Sequence, residues 1–423
     1  MSWLRHIRSS ALLKGSSIYV GSAALNALIL FLLMPVLTRL LEPAQYGVVA
    51  ALAALIGLAS VLVGLNTQGL VSVQYFRVDR ETFRASVGAS VGVMAASALA
   101  TAMLIVLGSE EIAEVSGVTP QWQWTVVVAA AGKFALALTL TIWQVQGLAF
   151  RFGAWQVITS SLIIGATLAL VAWVGLGWEG YAIAQAVATG ALGAVGLAHI
   201  ARSGMLTLRF RRDHLLQALR FGLPLVPHSL AGVAMAGMDR LILAGTVGPG
   251  ETGMYFVAIQ ISSVLVLFGG AVNQAWVPWL FGHLSSGNAA ARARVVTATY
   301  AMFGMFAVAA VILMLLGPLV VRILAGERYS AAAEILPILC PAAALTGMYY
   351  LVVNYIIYAK RTALLSALTV AAAAVQAILT VALAKSGGTT GVAVATLASA
   401  ALYFSATWYV ASRLVPMPWL RRS

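Results

Sequence analysis

The chain consists of apolar blocks about as long as a bilayer is thick, set apart by short polar connections, and this rhythm limits its fold more than any other feature. A run of about 20 apolar residues crosses the hydrocarbon core as one helix. Strands are not expected, because helices satisfy their own backbone groups in lipid and the blocks lack period-2 alternation. Twelve blocks can be marked. The first six run over Ser16–Leu40, Tyr46–Leu70, Ser86–Leu107, Trp124–Leu148, Gly153–Leu176 and Tyr181–Ile200. The next six run over Gly222–Val247, Gly253–Leu280, Val295–Leu316, Ile335–Tyr358, Ala363–Ala384 and Val392–Ser412.

Composition agrees: 61% of the 423 residues are hydrophobic and 9% charged, with a mean hydropathy of +0.96. A soluble domain needs far more charge to cover its surface. The opening "MSWLRHIRSSALLKG" is basic, but the apolar run after it is too long for the core of a cleavable signal and lacks a small-residue cleavage site. The first helix is therefore expected to act as the insertion signal. The single cysteine, Cys340, sits inside an apolar block, which excludes an internal disulfide and a cysteine metal cluster.

A net charge of +13 would suggest nucleic acid as the partner of a soluble protein, but here the cations sort by connection. One alternating set holds Arg5, Arg8, Lys14, Arg77, Arg80, Arg84, Arg151, Arg202, Arg209, Arg211, Arg212 and Arg220. It continues with Arg292, Arg294, Lys360, Arg361, Arg413, Arg421 and Arg422. The opposite set has only Arg39, Arg322, Arg328 and Lys385, among eight glutamates. Nineteen cations against four puts both termini in the cytoplasm by the positive-inside rule, with no call for a nucleic-acid partner.

The longest connection, about 201–221, is basic and divides the chain into residues 1–205 and 206–423, six helices each. The halves repeat. "EPAQYGVVAALAALI" from Glu42 parallels "GPGETGMYFVAIQIS" from Gly248, "GYAIA" from Gly180 parallels "GVAVA" from Gly391, and Arg151 parallels Arg361. The offsets of 206, 211 and 210 nearly coincide. Repeats of even helix number are related by an axis along the membrane normal, and transporters bind their substrate at the repeat interface. The expected fold is thus all-α: two pseudo-symmetric six-helix lobes around a central cavity.

Charged groups at bilayer depth mark candidate binding positions, since each costs about 2.5–3.5 kcal/mol on insertion scales. Lys133 lies nine residues past Trp124, about 14 Å down the helix and near the middle of the core. It shares a stripe with Ala137, Thr141 and Gln144. A cavity-facing lysine is the sharper reading; a lysine bonded to a neighbouring helix is the alternative. Asp239 and Arg240 lie in the seventh helix, Asp239 at a depth close to that of Lys133. Either Asp239 meets Lys133 across the cavity, or it pairs within its own helix or lobe. His228, beside Pro227, reads as part of a kink rather than a proton relay. Asn66, Gln68, Asn273, Gln274 and Trp276 are polar groups of the second and eighth helices. Thr346, Tyr350, Asn354 and Tyr358 form an i+4 stripe in the tenth. Each group either lines the cavity or links helices. No H-E-x-x-H, P-loop or paired intramembrane carboxylate is present, so no catalytic residue, metal or cofactor is expected.

"LLKGSSIYVGSAALNALILFLLMPVLTRLLEPAQYGVVA" and "MDRLILAGTVGPGETGMYFVAIQIS" resemble the polysaccharide transporters, lipid-linked oligosaccharide flippases of the multidrug/oligosaccharidyl-lipid/polysaccharide exporter superfamily. The resemblance spans the chain and rests most on "TRLLEPAQYG" and "DRLIL". It implies a multi-pass protein of the bacterial inner membrane with a cationic cavity. It further implies that alternating access moves an undecaprenyl-pyrophosphate-linked repeat unit for surface polysaccharide synthesis. Its expected partners are that lipid-linked oligosaccharide, membrane lipids, and glycan polymerase or assembly proteins as candidates. Lys133, Arg240 and Arg39 would meet the pyrophosphate, while Asn66, Gln144, Asn273, Asn354 and the aromatics Tyr350 and Trp276 would meet sugar. Asp239 is the one convincing acid for cation coupling. The competing readings are a drug or small-metabolite exporter of the same superfamily, and a membrane-embedded glycan polymerase or ligase. The last usually needs a large reactive outer loop, and the outer loops here are short.

Overall fold

The computed structural model describes residues 11–207, 211–285 and 288–419. Arg5, Arg8, Arg209, Arg421 and Arg422 of the expected cytoplasmic set lie outside the described residues, as does the side chain of Lys14. Among the described residues the chain is helical, with no strand.

The helices in chain order are α1 Ala11–Leu40, α2 Pro43–Leu62, α3 Gln68–Gln74, α4 Arg80–Leu107 and α5 Ser109–Ser116. Then come α6 Trp124–Val145, α7 Ala149–Leu168, α8 Trp178–Arg202, α9 Arg212–Gly222 and α10 Val226–Thr246. The last four are α11 Pro249–Ser285, α12 Ala289–Leu324, α13 Ala332–Tyr358 and α14 Thr362–Leu414. Ten of these are long and apolar enough to span a membrane. The last such stretch, Ala363–Leu414, has 52 residues, or about 78 Å of helix, more than twice the hydrocarbon thickness. It is broken at Gly388, whose φ of 54° and ψ of −137° suit glycine alone. Two crossings therefore lie within α14, and with α1 the total is twelve. The protein is a multi-pass membrane protein.

The second block departs from the expected Tyr46–Leu70. Helix α2 stops at Leu62, and Gly64, Leu65 and Asn66 take positive φ values of 82°, 49° and 58° before α3 resumes. Glycine and asparagine tolerate that region, and the Leu65 carbonyl packs on Gly222, which has no side chain to obstruct it. Two further departures lie in the connections. The acidic outer stretch folds as α5, stopped by Gly117 in the left-handed region, and the basic connection contains the amphipathic α9. The fifth span continues past α7 as a π-helical turn, Ala169–Trp173.

The chain forms two compact units: Met1–Leu41 with Val48–Val233, and Glu42–Gly47 with Ala234–Ser423. These are bodies of close packing, whereas the division expected at 205/206 follows the repeat. In the first unit α6 and α8 make the most intimate pair, α1 lies along α7, and α4 holds α6 and α9. Gly132 of α6 meets the Thr189–Gly190 backbone of α8, and Gly193 meets the Gly132 carbonyl, so small residues let the two helices touch. The Ser160 hydroxyl donates to Asn26, tying α7 to α1. In the second unit α13 is central, packed by α11, α12 and α14. Near its start, Pro43–Gly47 and Pro249–Gly253 cross reciprocally: Gly47 abuts the Pro249 carbonyl and Gly253 the Pro43 carbonyl.

Candidate functional site

In the first unit, Lys133 is carried by α6, and the environment of that helix changes sharply around it. Val126, Ala129 and Ala130, one to two turns before Lys133 on the same face, are sealed against neighbouring helices, the two alanines at 0% exposure. From Lys133 onward the face opens: Lys133 and Gln144 are exposed, and Ala137, Leu140 and Thr141 half-buried. The opposite side of α6 is accessible too, but through exposed Trp124 and Val128 and half-buried Val127 and Ala131. One side is wholly apolar, as lipid requires; the other carries an ammonium, a hydroxyl and an amide. The Lys133 side chain is accessible on this face of the unit. Arg39 occupies the last turn of α1, exposed, where a cation complements the helix dipole. Asn66 sits in the left-handed turn, its Oδ1 accepting from the Ser229 hydroxyl at 3.3 Å while its buried amide nitrogen has no partner among the described residues.

In the second unit, Asp239 of α10 is 4% exposed and fully engaged. The Tyr255 hydroxyl of α11 donates to Oδ2 at 2.9 Å, and the Arg240 backbone N–H donates to Oδ1 at 2.9 Å. Tyr255 also lies 3.0 Å from the Thr396 hydroxyl, which brings α14 into the cluster. Nearby, the Gln376 amide donates to the Met235 carbonyl at 3.2 Å. Of the pairings the sequence leaves open for Asp239, the lobe-internal one is therefore present. Arg240 turns its guanidinium over the Phe256 ring at 4.6 Å, with Nε 4.0 Å from Asp239 Oδ1. Its charge is thus shared between a carboxylate and a π face. Sequence reasoning missed Tyr255 and Thr396, neutral hydroxyls with no charge to draw notice.

Asn354 is 3% exposed and donates to Asn273 Oδ1 at 2.7 Å and to the Tyr350 carbonyl at 2.6 Å. This is the geometry of a link between α11 and α13. Trp276 is buried as well, its indole N–H donating to the Leu351 carbonyl at 3.1 Å. Tyr350 is half-buried beside Tyr349, whose ring stacks on Tyr403 at 4.5 Å; a hydroxyl chain runs from Tyr349 through Tyr403 to Thr369. His228 is exposed just past the one-turn 3-10 segment Leu223–Leu225, where α9 passes into α10. Cys340 is a buried thiol. Among the described residues no three His, Cys, Asp or Glu side chains gather as metal ligands.

The family model described as polysaccharide biosynthesis protein matches residues 12–283. Among solved structures, the lipid II flippase MurJ in an inward closed conformation aligns at 14% identity over 93% of this chain and 87% of its own, with a TM-score of 0.74. An inward-facing multidrug resistance MATE family transporter of the MOP superfamily aligns at 16% identity over 92% and 95%, with a TM-score of 0.72. The Vibrio cholerae MATE transporter VcmN aligns at 15% over 95% and 98%, with a TM-score of 0.58. None of the curated proteins compared with the chain matches it. At these identities the structural likeness is one of fold.

Proposed function

The chain belongs to the polysaccharide biosynthesis protein family, and from that premise we propose that it is a flippase for lipid-linked oligosaccharide. The cargo is an undecaprenyl-pyrophosphate-linked repeat unit, moved across the bacterial inner membrane by alternating access for surface polysaccharide synthesis. The observation that carries this reading is the two-sidedness of α6, with an apolar side opposite a polar, accessible side bearing Lys133. A pyrophosphate–sugar head group is anionic and cannot cross hydrocarbon unaided. An accessible lysine midway along a membrane-spanning helix supplies a compact charge for phosphate, and Gln144 supplies amide groups for sugar on the same face. Arg240 and Arg39 are the further candidates for the phosphates, with Asn66 and Tyr350 for sugar. Asn273 and Asn354 act on the site through the helix link they form. Asp239 belongs to this reading as the group that fixes Arg240.

The fold is shared equally with multidrug transporters, so the test needs two arms. Protein reconstituted in liposomes is given a lipid-linked oligosaccharide in one leaflet, and its appearance in the other is followed. Vesicles containing the protein should move it well above the protein-free rate. Movement at the protein-free rate, together with efflux of a cationic drug, would reject the flippase in favour of the exporter.

A further inference from the structure

The first unit carries a second feature unrelated to Lys133. At the start of α4, Arg80 and Arg84 join Arg211, just before α9, and His214 of its first turn around a cavity of about 930 Å³. Among the described residues its acidic lining is Asp79 and Glu81. Asp79 is already committed: its carboxylate accepts from the Glu81 and Thr82 N–H groups and from the Thr82 hydroxyl. Glu81 is exposed, which leaves three guanidiniums facing one uncommitted carboxylate. The buried Arg84 Nε has no hydrogen-bond partner among the described residues.

An apolar groove of about 860 Å³ follows along the same two helices, between Val93, Ala96 and Leu99 of α4 and Leu215 and Leu219 of α9. The chain around the start of α9 serves both compartments: Arg211, just before the helix, and His214 line the basic cup, and Leu215 and Leu219 line the groove. The hydroxyls along the groove are spent. Ser97 accepts from the Gly64 N–H, and Thr101 donates to the Ser97 carbonyl. Through Leu62, Thr101 and Leu104 the groove runs on into a smaller recess that ends at Ile112. Around it Leu99, Met103 and Leu107 are strongly exposed, as on a helix face turned to hydrocarbon, while exposed Tyr75 packs edge-on against Phe83 near the start of α4 and against exposed Phe76.

A dry apolar groove at bilayer depth is filled by hydrocarbon rather than water. Guanidiniums at its interfacial end select an anion, and they bind phosphate oxygens in pairs. We propose that this is a site for one anionic phospholipid. Its phosphate sits on Arg80, Arg84 and Arg211, and an acyl chain lies in the groove between α4 and α9. The bound lipid fastens α9 to α4 within the first unit. The proposal is independent of the cargo.

Native mass spectrometry of the detergent-purified full chain tests it, titrating phosphatidylglycerol against phosphatidylcholine with the same acyl chains. One phosphatidylglycerol should stay bound with at least about tenfold preference, as expected where charged hydrogen bonds distinguish two head groups. Arg84→Glu with Arg211→Glu should erase the preference. Ala96→Trp, which fills the groove and leaves the cup intact, should lower retention. Should the reversals impair folding by circular dichroism, Arg84→Gln with Arg211→Gln gives the same readout. Equal retention of the two lipids, or an unchanged preference in the arginine variants, overturns the proposal. So does tighter retention of a polyprenyl phosphate than of phosphatidylglycerol, which would give the groove to the transported lipid.

Discussion

Lys133 and Asp239 were both conspicuous in the sequence, for one reason: a charge inside an apolar block is costly enough to need an explanation. Their surroundings were not legible. Asp239 finds its donor 16 residues away on the next helix, and Thr396 approaches from 157 residues away. Serine, threonine and tyrosine are too common in membrane helices to signal such a cluster. Two expectations follow at this scale. Lys133→Ala should abolish flipping in the liposome assay while insertion and the melting profile stay normal, and Lys133→Arg should retain part of the activity. A lysine serving only as a link between helices would lower the melting temperature along with transport. For the buried acid, Tyr255→Phe removes a donor from a carboxylate and should destabilise the protein by about 1.5–3 kcal/mol, read as a lowered denaturation midpoint in detergent. An unchanged midpoint would mean that Thr396 or Arg240 takes over the contact.

Among the elements, the long helices were legible because block length and hydrophobicity suffice to mark a crossing. The short amphipathic ones were hidden. Helix α9, "RDHLLQALRFG", reads as a charged connection until Leu215, Ala218 and Leu219 are seen packed against Val93 and Ala89. The turn at 64–66 was invisible because the apolar run continues through it, and the Gly222 contact that accommodates it lies far along the chain. Helix starts are more local. Asp79 caps α4, and the hydrogen bonds it accepts, first from the Thr82 side chain and then from its backbone, hold the carboxyl below its ordinary 3.8. A lowered value in the fold stabilises it above the ordinary pKa, and that contribution fades as the pH falls through the lowered value. Asp79→Ala should therefore melt earlier than wild type at neutral pH, and the difference should shrink as the pH is taken well below 3.8. A gap that persists undiminished at pH 2 would assign the effect to packing. For the link between α11 and α13, a double-mutant cycle of Asn273→Ala and Asn354→Ala should give a coupling of about 0.6–1.7 kcal/mol, the range of measured interhelical hydrogen bonds in membranes. Zero coupling would return both amides to the pool of candidate sugar ligands.

At the scale of the whole molecule, the fold gives one of the motifs repeated in the sequence a physical reason. The matched Pro43-x-x-x-Gly47 and Pro249-x-x-x-Gly253 are the segments that cross inside the second unit, each glycine lying against the opposite proline's carbonyl. Such reciprocity is what a two-fold relation between repeats produces: a residue and its counterpart meet each other's surroundings. The repetition of "P-x-x-x-G" thus follows from steric need at a backbone crossing, where even a methyl group on either side has no room. The clash is with backbone rather than with a side chain that could turn aside. Gly47→Ala and Gly253→Ala should each destabilise the protein by about 1–3 kcal/mol, the cost of overpacking. Because the two contacts share one crossing, a single outward shift of the segments relieves both at once. The double variant should then cost clearly less than the sum of the singles, a departure from additivity expected only of coupled sites. Denaturation midpoints of the four proteins decide it: additive losses would mean that the crossing yields independently at each glycine and that the reciprocal geometry carries no energetic coupling.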